Sequence, residues 1–266
     1  EFHQQDPLLT TYEGLTPGMS SGVTLTDNQR PWIADLIAKG YDHSLNQYTV
    51  FDPILNYPGA KGRGATFAPP VYPDKDSNVA FLTDELLKWL RVREDENWFA
   101  HLSYLSPHPP WIAPEKYNNM YDPSEVPKPI RRESLEEEGR QHPLLKMLHD
   151  LIPRSLFFND KLIEPAALMS DLDVLQARAT YYGLMSQVDH HLGRVFNYLK
   201  KSGKYESTLI IFTSDHGEQL GDHYSFGKYG YFDQSYSIPL IIRNPEITKQ
   251  TSNKSAVIGT QVELFT

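Results

Sequence analysis

Hydrophobic and polar positions fall into runs of two periods along the chain. Four segments predict strands. Asp42–Val50 follows the turn residues Gly40 and Tyr41, and Trp98–Leu105 is aromatic and apolar with partial alternation. Thr208–Thr213 (TLIIFT) and Ile238–Ile242 (IPLII) are continuous apolar runs. Such runs between polar segments suit strands buried on both faces, as in a parallel sheet. Pro239 places the last of them at a strand start or an edge. Helices are predicted between the strands. Pro31–Lys39 opens with a proline suited to a first helical position and closes at Gly40. Val79–Arg93 puts Val79, Leu82, Leu86 and Trp89 on one face, with Ser77 or Asn78 as its cap. The longest helix, Asp173–Lys201, repeats Val174, Ala177, Tyr181, Leu184, Val188, Leu192, Val195 and Leu199 as one apolar stripe and stops at Gly203.

Alternating strands and helices predict an α/β fold with a mostly parallel sheet flanked by helices. Two stretches interrupt the alternation. Pro53–Lys75 is rich in proline and glycine and reads as loop. Residues 107–172 form a long excursion with many prolines and one short helix in PLLKMLHDLI; segments of this kind serve as lids, binding loops or oligomer arms. The 266 residues fit one domain or a large part of one, and 39% hydrophobic content is enough for a core. The formal charge of −9 argues against a nucleic-acid or membrane-surface binder. There is no cysteine, hence no disulfide, thiolate ligand or cysteine nucleophile. No apolar run approaches the ~20 residues of a membrane span. EFHQQDPLLT lacks the basic-then-apolar order of a signal peptide. Compartment is left open, with the cytoplasm preferred.

Chemistry concentrates in Thr208–Pro245. A predicted strand ends at Thr213, and Asp215 and His216 come next, where open α/β sheets place their ligands. A hard oxygen and an imidazole nitrogen ahead of the permissive Gly217 can turn toward one cation. The alternative is that Asp215 caps a helix starting near Gly217, with His216 at the surface. Downstream, Asp222, His223 and Lys228 add an acid, an imidazole and a cation.

The string FTSDHGEQLGDH, with Gly227-Lys228 and Ile238-Pro239 after it, resembles the C-terminal signature of the sulfatase family in the alkaline phosphatase superfamily. GYDHSLNQYT is similar to the family's second-strand region. FAHLSYLSPHPPW, MYDPSEVPKPIR, QHPLLKMLHDLI and ATYYGLMSQVDHHLGRVFNYL resemble the phosphonate monoester hydrolase and phosphodiesterase branch. The resemblance runs from about residue 30 to residue 266. It implies an alkaline phosphatase-like fold and a hydrolase of small anionic esters: phosphonate monoesters, phosphodiesters or sulfate esters. It also implies one divalent metal. Asp215 and His216 match metal ligands, Lys228 a lysine that contacts the substrate's anionic oxygens, and His108 the histidine that faces the substrate and protonates the leaving group. Tyr48 and Thr49 match substrate-contacting positions, and Asp222 and His223 stand behind the ligands. An imidazole in place of the asparagine of many calcium sulfatases turns the expected metal away from calcium toward manganese or zinc, with manganese ranked first.

The resemblance also implies further acidic ligands and a nucleophile modified from cysteine to formylglycine. Neither matches here. Leu8-Leu9-Thr10 resembles the segment just past the family's nucleophile motif, and Glu1–Gln5 holds no Cys, Ser or Arg. We therefore expect residues 1–266 to be a partial sulfatase-type catalytic domain, truncated at both ends and holding half an active site. Alternatives are an arylsulfatase, or a non-catalytic fragment that binds or forms homo-oligomers through 107–172. Gly18–Gly22 fits G-x-S-x-G but lacks the strand–turn–helix setting of a nucleophile elbow and reads as a turn. Asp189-His190-His191 reads as helix surface, because adjacent helical positions point ~100° apart. Glu136–Glu138 reads as a solvated face. Trp98, Tyr104, Trp111 and Tyr117 read as packing the core and the PHPP loop, with Trp111 also a face for an aryl leaving group.

Overall fold

The 31-residue helix Asp171–Lys201 forms the spine of the chain. The computed structural model describes residues 19–25, 28–159 and 162–246. In chain order the helices are α1 (Arg30–Ala38), α2 (Asn78–Arg91), α3 (Leu135–Gly139), α4 (Pro143–Leu151), α5 (Asp171–Lys201) and α6 (Asp233–Tyr236), and the strands are β1 (Ile210–Thr213) and β2 (Leu240–Arg243). Caps explain their starts. Ser77 accepts from the Ala80 amide, Ser134 from Glu137 and Ser170 from Asp173, each giving a first-turn N–H a partner.

The four predicted helices are present. The inward face of α2 differs from the expected one. Val79, Ala80, Thr83, Leu87 and Leu90 are buried, whereas Leu82, Leu86 and Trp89 are half-buried. Thr83 fits inside because its hydroxyl donates to the Val79 carbonyl at 2.7 Å and meets the Tyr104 hydroxyl at 2.7 Å.

The strand expectations divide. β1 and β2 form within the two continuous apolar runs, yet they pair antiparallel, with Ile210 opposite Arg243 and Thr213 opposite Leu240. A two-stranded antiparallel ribbon is the whole sheet among the described residues, in place of the mostly parallel sheet. Its apolar residues are not sandwiched either: Leu209, Ile211, Phe212, Ile241 and Ile242 are exposed. Residues 42–50 are turns. Asp42 Oδ1 accepts from the Ser44 amide at 2.8 Å and Asn46 Oδ1 from the Tyr48 amide at 2.9 Å. These side chains offer the backbone a local partner that outcompetes a ladder. Residues 98–105 belong to no ladder among the described residues.

Two hydrophobic cores form. One joins Trp32, Ile33, Leu36, Val50 and Tyr72 beneath α1. The larger gathers Trp111, Tyr117, Phe157, Phe158, Val174, Ala177, Leu184, Leu220 and Phe226 around α5. The α5 stripe is buried at Val174, Ala177, Leu184, Val195 and Leu199. A second, polar stripe is buried beside it, at Gln176, Thr180, Gln187 and His191. Thr180 meets the Thr66 hydroxyl at 3.0 Å, and Gln187 donates to Asp74 at 2.8 Å and Ser77 at 3.0 Å. His191 is therefore not helix surface. Arg194, which can only donate, takes its Nδ1 at 2.9 Å, leaving Nε2–H to reach Asp74 Oδ1 at 3.0 Å. Gly183 admits the Tyr117 carbonyl, which a Cβ would displace. Glu138 also departs from the solvated face expected of Glu136–Glu138. It is 1% exposed, and its carboxylate accepts from the Arg132 amide at 2.7 Å and takes His223 Nδ1 at 2.9 Å.

Burial alone would raise the Asp74 carboxyl, but hydrogen bonds from His191 and Gln187 outweigh it and hold the group below the usual carboxylate range. A depressed carboxyl adds stability that is present above its unfolded value of ~3.9 and is lost as pH falls through the folded value. His191→Ala should cost about 2 kcal/mol in urea unfolding at pH 7, because it removes one donor to Asp74, the acceptor for Arg194 and a buried ring. Asp74→Asn should flatten the acid limb of the stability curve below pH ~4. An unchanged acid limb in Asp74→Asn would remove Asp74 from the account.

Candidate active site

Trp111 is fully buried. Its rings meet Phe157 at 5.7 Å, Phe158 at 5.4 Å, Tyr181 at 6.3 Å and Phe226 at 5.8 Å. Its indole N–H donates to the Pro107 carbonyl at 3.1 Å, and its amide donates to Phe157 at 3.1 Å. A side chain so enclosed has no face for an aryl leaving group, which corrects that expectation; it anchors the Pro107–Pro110 loop instead. Phe226, one residue before Gly227-Lys228, packs on the same indole. Tyr181 carries the cluster toward the β1 end: burial first, then the Glu218, Tyr182 and Asp215 charges, push its hydroxyl up. The segments bearing His108 and Lys228 thus share one aromatic core, and Tyr181 within it feels the Asp215 charge.

Asp215 lies two residues past β1, with 82% of its side chain exposed. His216 Nε2 is 3.5 Å from its Oδ2, while His216 Nδ1 contacts the Gly217 carbonyl at 2.7 Å. A carbonyl only accepts, so Nδ1 carries the proton and Nε2 presents a lone pair on the carboxylate's side. Metal-bound imidazoles are commonly held this way. The pair therefore fits two donors to one divalent cation. Among the described residues no group of three or more His, Cys, Asp or Glu side chains converges. No helix starts at Gly217, which removes the capping alternative. Gly217 donates to the Ser235 carbonyl at 2.7 Å, and a Cβ there would meet the Gln234 carbonyl.

Beyond Gly217 the chain folds back on itself. Glu218 Oε1 accepts from the Gly227 amide at 2.5 Å and the Leu220 amide at 3.2 Å. Desolvation pushes its carboxyl up to about 7, against the pull of those amides. Gln219 bonds Gly227, Tyr229 and Ser235. Lys228 is exposed and makes no ion pair among the described residues, so its ammonium is available to an anion. His108 is exposed too; its Nδ1 contacts the Pro109 carbonyl at 2.7 Å, which again leaves Nε2 as the open position.

The remaining predicted residues are used differently. Asp222 is buried and paired with Arg178 through Oδ1, which also accepts from the Ile130 amide at 2.8 Å. His223 is fixed between Glu138 and the Phe232 ring, stacked at 3.7 Å. Both brace the loop, and neither contacts Asp215 or His216. Tyr48 is 76% exposed, and Thr49 accepts from the Asn46 amide at 3.1 Å. Their turn is tied toward the aromatic core by Asn159, which donates to Asp52 at 2.6 Å. Glu218 and Tyr181 were not singled out from sequence. A carboxylate inside a Gly-bounded motif carries a signal for the first, while a tyrosine on an apolar stripe carries none for the second. The segment resembling the flank of a nucleophile motif, Leu8–Thr10, lies outside the described residues.

The fold is α/β and alkaline phosphatase-like. The chain belongs to the sulfatase family, a family of hydrolases, whose model matches residues 26–266. It is 38% identical over 240 residues to the multifunctional alkaline phosphatase superfamily protein PehA of Trinickia caryophylli, a match covering 90% of this chain and 46% of that one. The phosphonate monoester hydrolase of Agrobacterium radiobacter superposes with a TM-score of 0.82 at 39% identity, over 92% of this chain and 47% of that one. Phosphonate monoester hydrolase SpPMH of Silicibacter pomeroyi gives 0.80 at 38% identity, over 92% and 47%. The chain spans about half the length of these relatives.

Gly217→Ala should destabilise by about 3 kcal/mol or more, since the methyl group drives backbone against backbone. Denaturant unfolding reads this directly. Gly193→Ala, where open space surrounds the position, is the control expected to cost nothing. Equal midpoints for the two variants would refute the close approach.

Proposed function

We propose that this chain carries the charge-stabilising half of a metal-dependent hydrolase of anionic esters, of the phosphonate monoester, phosphodiester or sulfate ester class. The observation that carries the reading is the paired Asp215 and His216 beyond β1, together with the aromatic core shared by the loops of His108 and Lys228, each presenting an unengaged polar group. The names of the similar proteins point the same way, toward phosphonate monoesters. Asp215 and His216 would hold the divalent cation, manganese before zinc or calcium, and a cation there supplies Lewis-acid stabilisation to charged ester oxygens. Lys228 adds a fixed positive charge for the same oxygens, worth most where water is excluded. The Pro109 carbonyl keeps the His108 Nδ1 proton in place, so proton exchange with a leaving group occurs at Nε2. Tyr48 and Thr49 would border the substrate, and Asp222 and His223 support the loop. The reading assigns no nucleophile to the described residues; a formylglycine is foreign to this cysteine-free chain. The 107–172 segment, with its Trp111 anchor, supplies the leaving-group side of a single, partial sulfatase-type domain.

A second reading, anion or metal binding without turnover, has one observation in its favour: two metal donors converge among the described residues, not three. Manganese titration followed by NMR tests the site itself. Paramagnetic broadening should centre on residues 214–217, reach His108 and Lys228, and vanish in His216→Ala. Broadening scattered over the acidic surface would overturn both readings. Turnover of aryl phosphonate esters in preference to aryl sulfates supports the first reading, and binding without turnover supports the second.

A further inference from the structure

The loop after β1 has two arms. The outgoing arm bears Asp215 and His216, and the returning arm bears Lys228. Residues 217–227 separate them, including five at positive φ: Leu220, Gly221, His223, Tyr224 and Gly227. Such a turn does not define by itself how far apart its arms lie. Two side chains cross between them: Gln219 Nε2 donates to the Tyr229 carbonyl at 3.0 Å, and Glu218 reaches the residue before Lys228. Glu218 leaves the outgoing arm two residues past His216, and its Oε1 takes the amide of Gly227 at 2.5 Å, next to Lys228. The same oxygen takes the Leu220 amide at 3.2 Å. Gln219 reinforces the crossing from the backbone, its amide donating to the Gly227 carbonyl at 3.0 Å. Gly227 is thus held through both its N–H and its C=O, with φ at +74° and the Phe157 ring close to where a Cβ would stand. The Lys228 side chain has no such restraint and points from an anchored backbone.

We propose that Glu218 is a positioning residue that spans the loop and fixes the Lys228 arm against the Asp215–His216 arm, so that lysine and metal ligands address one anion. This rests on the reading of those three residues given above, and it extends that reading to a residue that would touch neither metal nor substrate. The chemistry requires an acceptor at that point and not a full charge. One oxygen receives both amides, and an amide oxygen can do the same. The carboxamide of glutamine therefore substitutes for the carboxylate, while alanine leaves the Gly227 N–H without its partner.

The experiment is the manganese titration repeated on variants, with the metal alone as probe. In wild type, broadening reaches residues 214–217 and also the Gly227 and Lys228 amides. In Glu218→Ala, broadening at 214–217 persists and that at 227–228 is lost. In Glu218→Gln, both are retained. A role confined to overall stability would change both arms together or neither, so the selective loss and its rescue by glutamine identify positioning. Should Glu218→Ala fail to fold, Glu218→Asp withdraws the acceptor by one methylene and carries the same test. Unchanged broadening at 227–228 in these variants overturns the role of Glu218 and leaves the metal reading standing. Absence of broadening at 214–217 in wild type overturns the metal reading, and this inference with it.

Discussion

The indole of Trp111 donates its N–H to Pro107 while its faces and edges are taken by Phe157, Phe158, Tyr181 and Phe226. The partners come from separate stretches: Pro107 from the histidine loop, Phe157 and Phe158 from the excursion, Tyr181 from α5, and Phe226 from the lysine arm. Loops have little enthalpy of their own and pay conformational entropy to stay ordered. Rings that bury about 150–250 Å² and lock in edge-to-face contacts compensate for that. The site is a set of loop ends, and this cluster is what makes their relative placement a property of the fold.

Polar burial along α5 complements the aromatic core. Gln176, Thr180, Gln187 and His191 give no hydrophobic gain, and each costs free energy unless bonded. Thr66, Asp74 and Ser77 supply the bonds of Thr180, Gln187 and His191, and Gln176 donates to Thr180 at 3.2 Å. A helix that slid or rotated against these loops would strand several donors at once, so the network fixes register more than it adds stability. Arg178 extends the same logic to the loop after β1. Its guanidinium bonds the carbonyls of Leu220 and Pro127 and the carboxylate of Asp222, which ties this loop to both spine and excursion. Asp222 is thereby committed to Arg178.

Elements whose signal is periodic or compositional were legible: the four main helices, the Ser77 cap, the two apolar runs, and a motif that places Asp215 and His216 at the end of a strand. The features that escaped depend on partners distant in sequence. Glu138 stands in an acidic run whose neighbours are solvated, and it is buried because His223 and the Arg132 amide need its oxygens. His191 comes directly after a surface histidine and turns inward to meet Asp74. Nothing within a helical turn of either residue distinguishes it. Asp42 and Asn46 misled in the opposite sense. Their segment reads as a strand after the turn residues Gly40 and Tyr41, and one short carboxylate and one short amide side chain redirect the backbone into turns.

The ribbon of β1 and β2 shows how a correct reading of residues and an unmet expectation coexist. TLIIFT and IPLII are apolar at successive positions, hence on both faces, and that pattern asks for a layer on each side. Among the described residues neither layer is supplied, so Ile211, Phe212, Ile241 and Ile242 meet solvent. The consequence reaches the site, because β1 delivers Asp215 two residues beyond Thr213. A strand of four residues paired along one edge holds its end less firmly than one set inside a sheet. The restraint on the arm bearing Asp215 and His216 must then come from the far side, through Gly217 against α6 and Glu218 against Gly227. Local clamping of the loop and covering of the ribbon are thus two routes to the same rigidity, and the described residues contain the first.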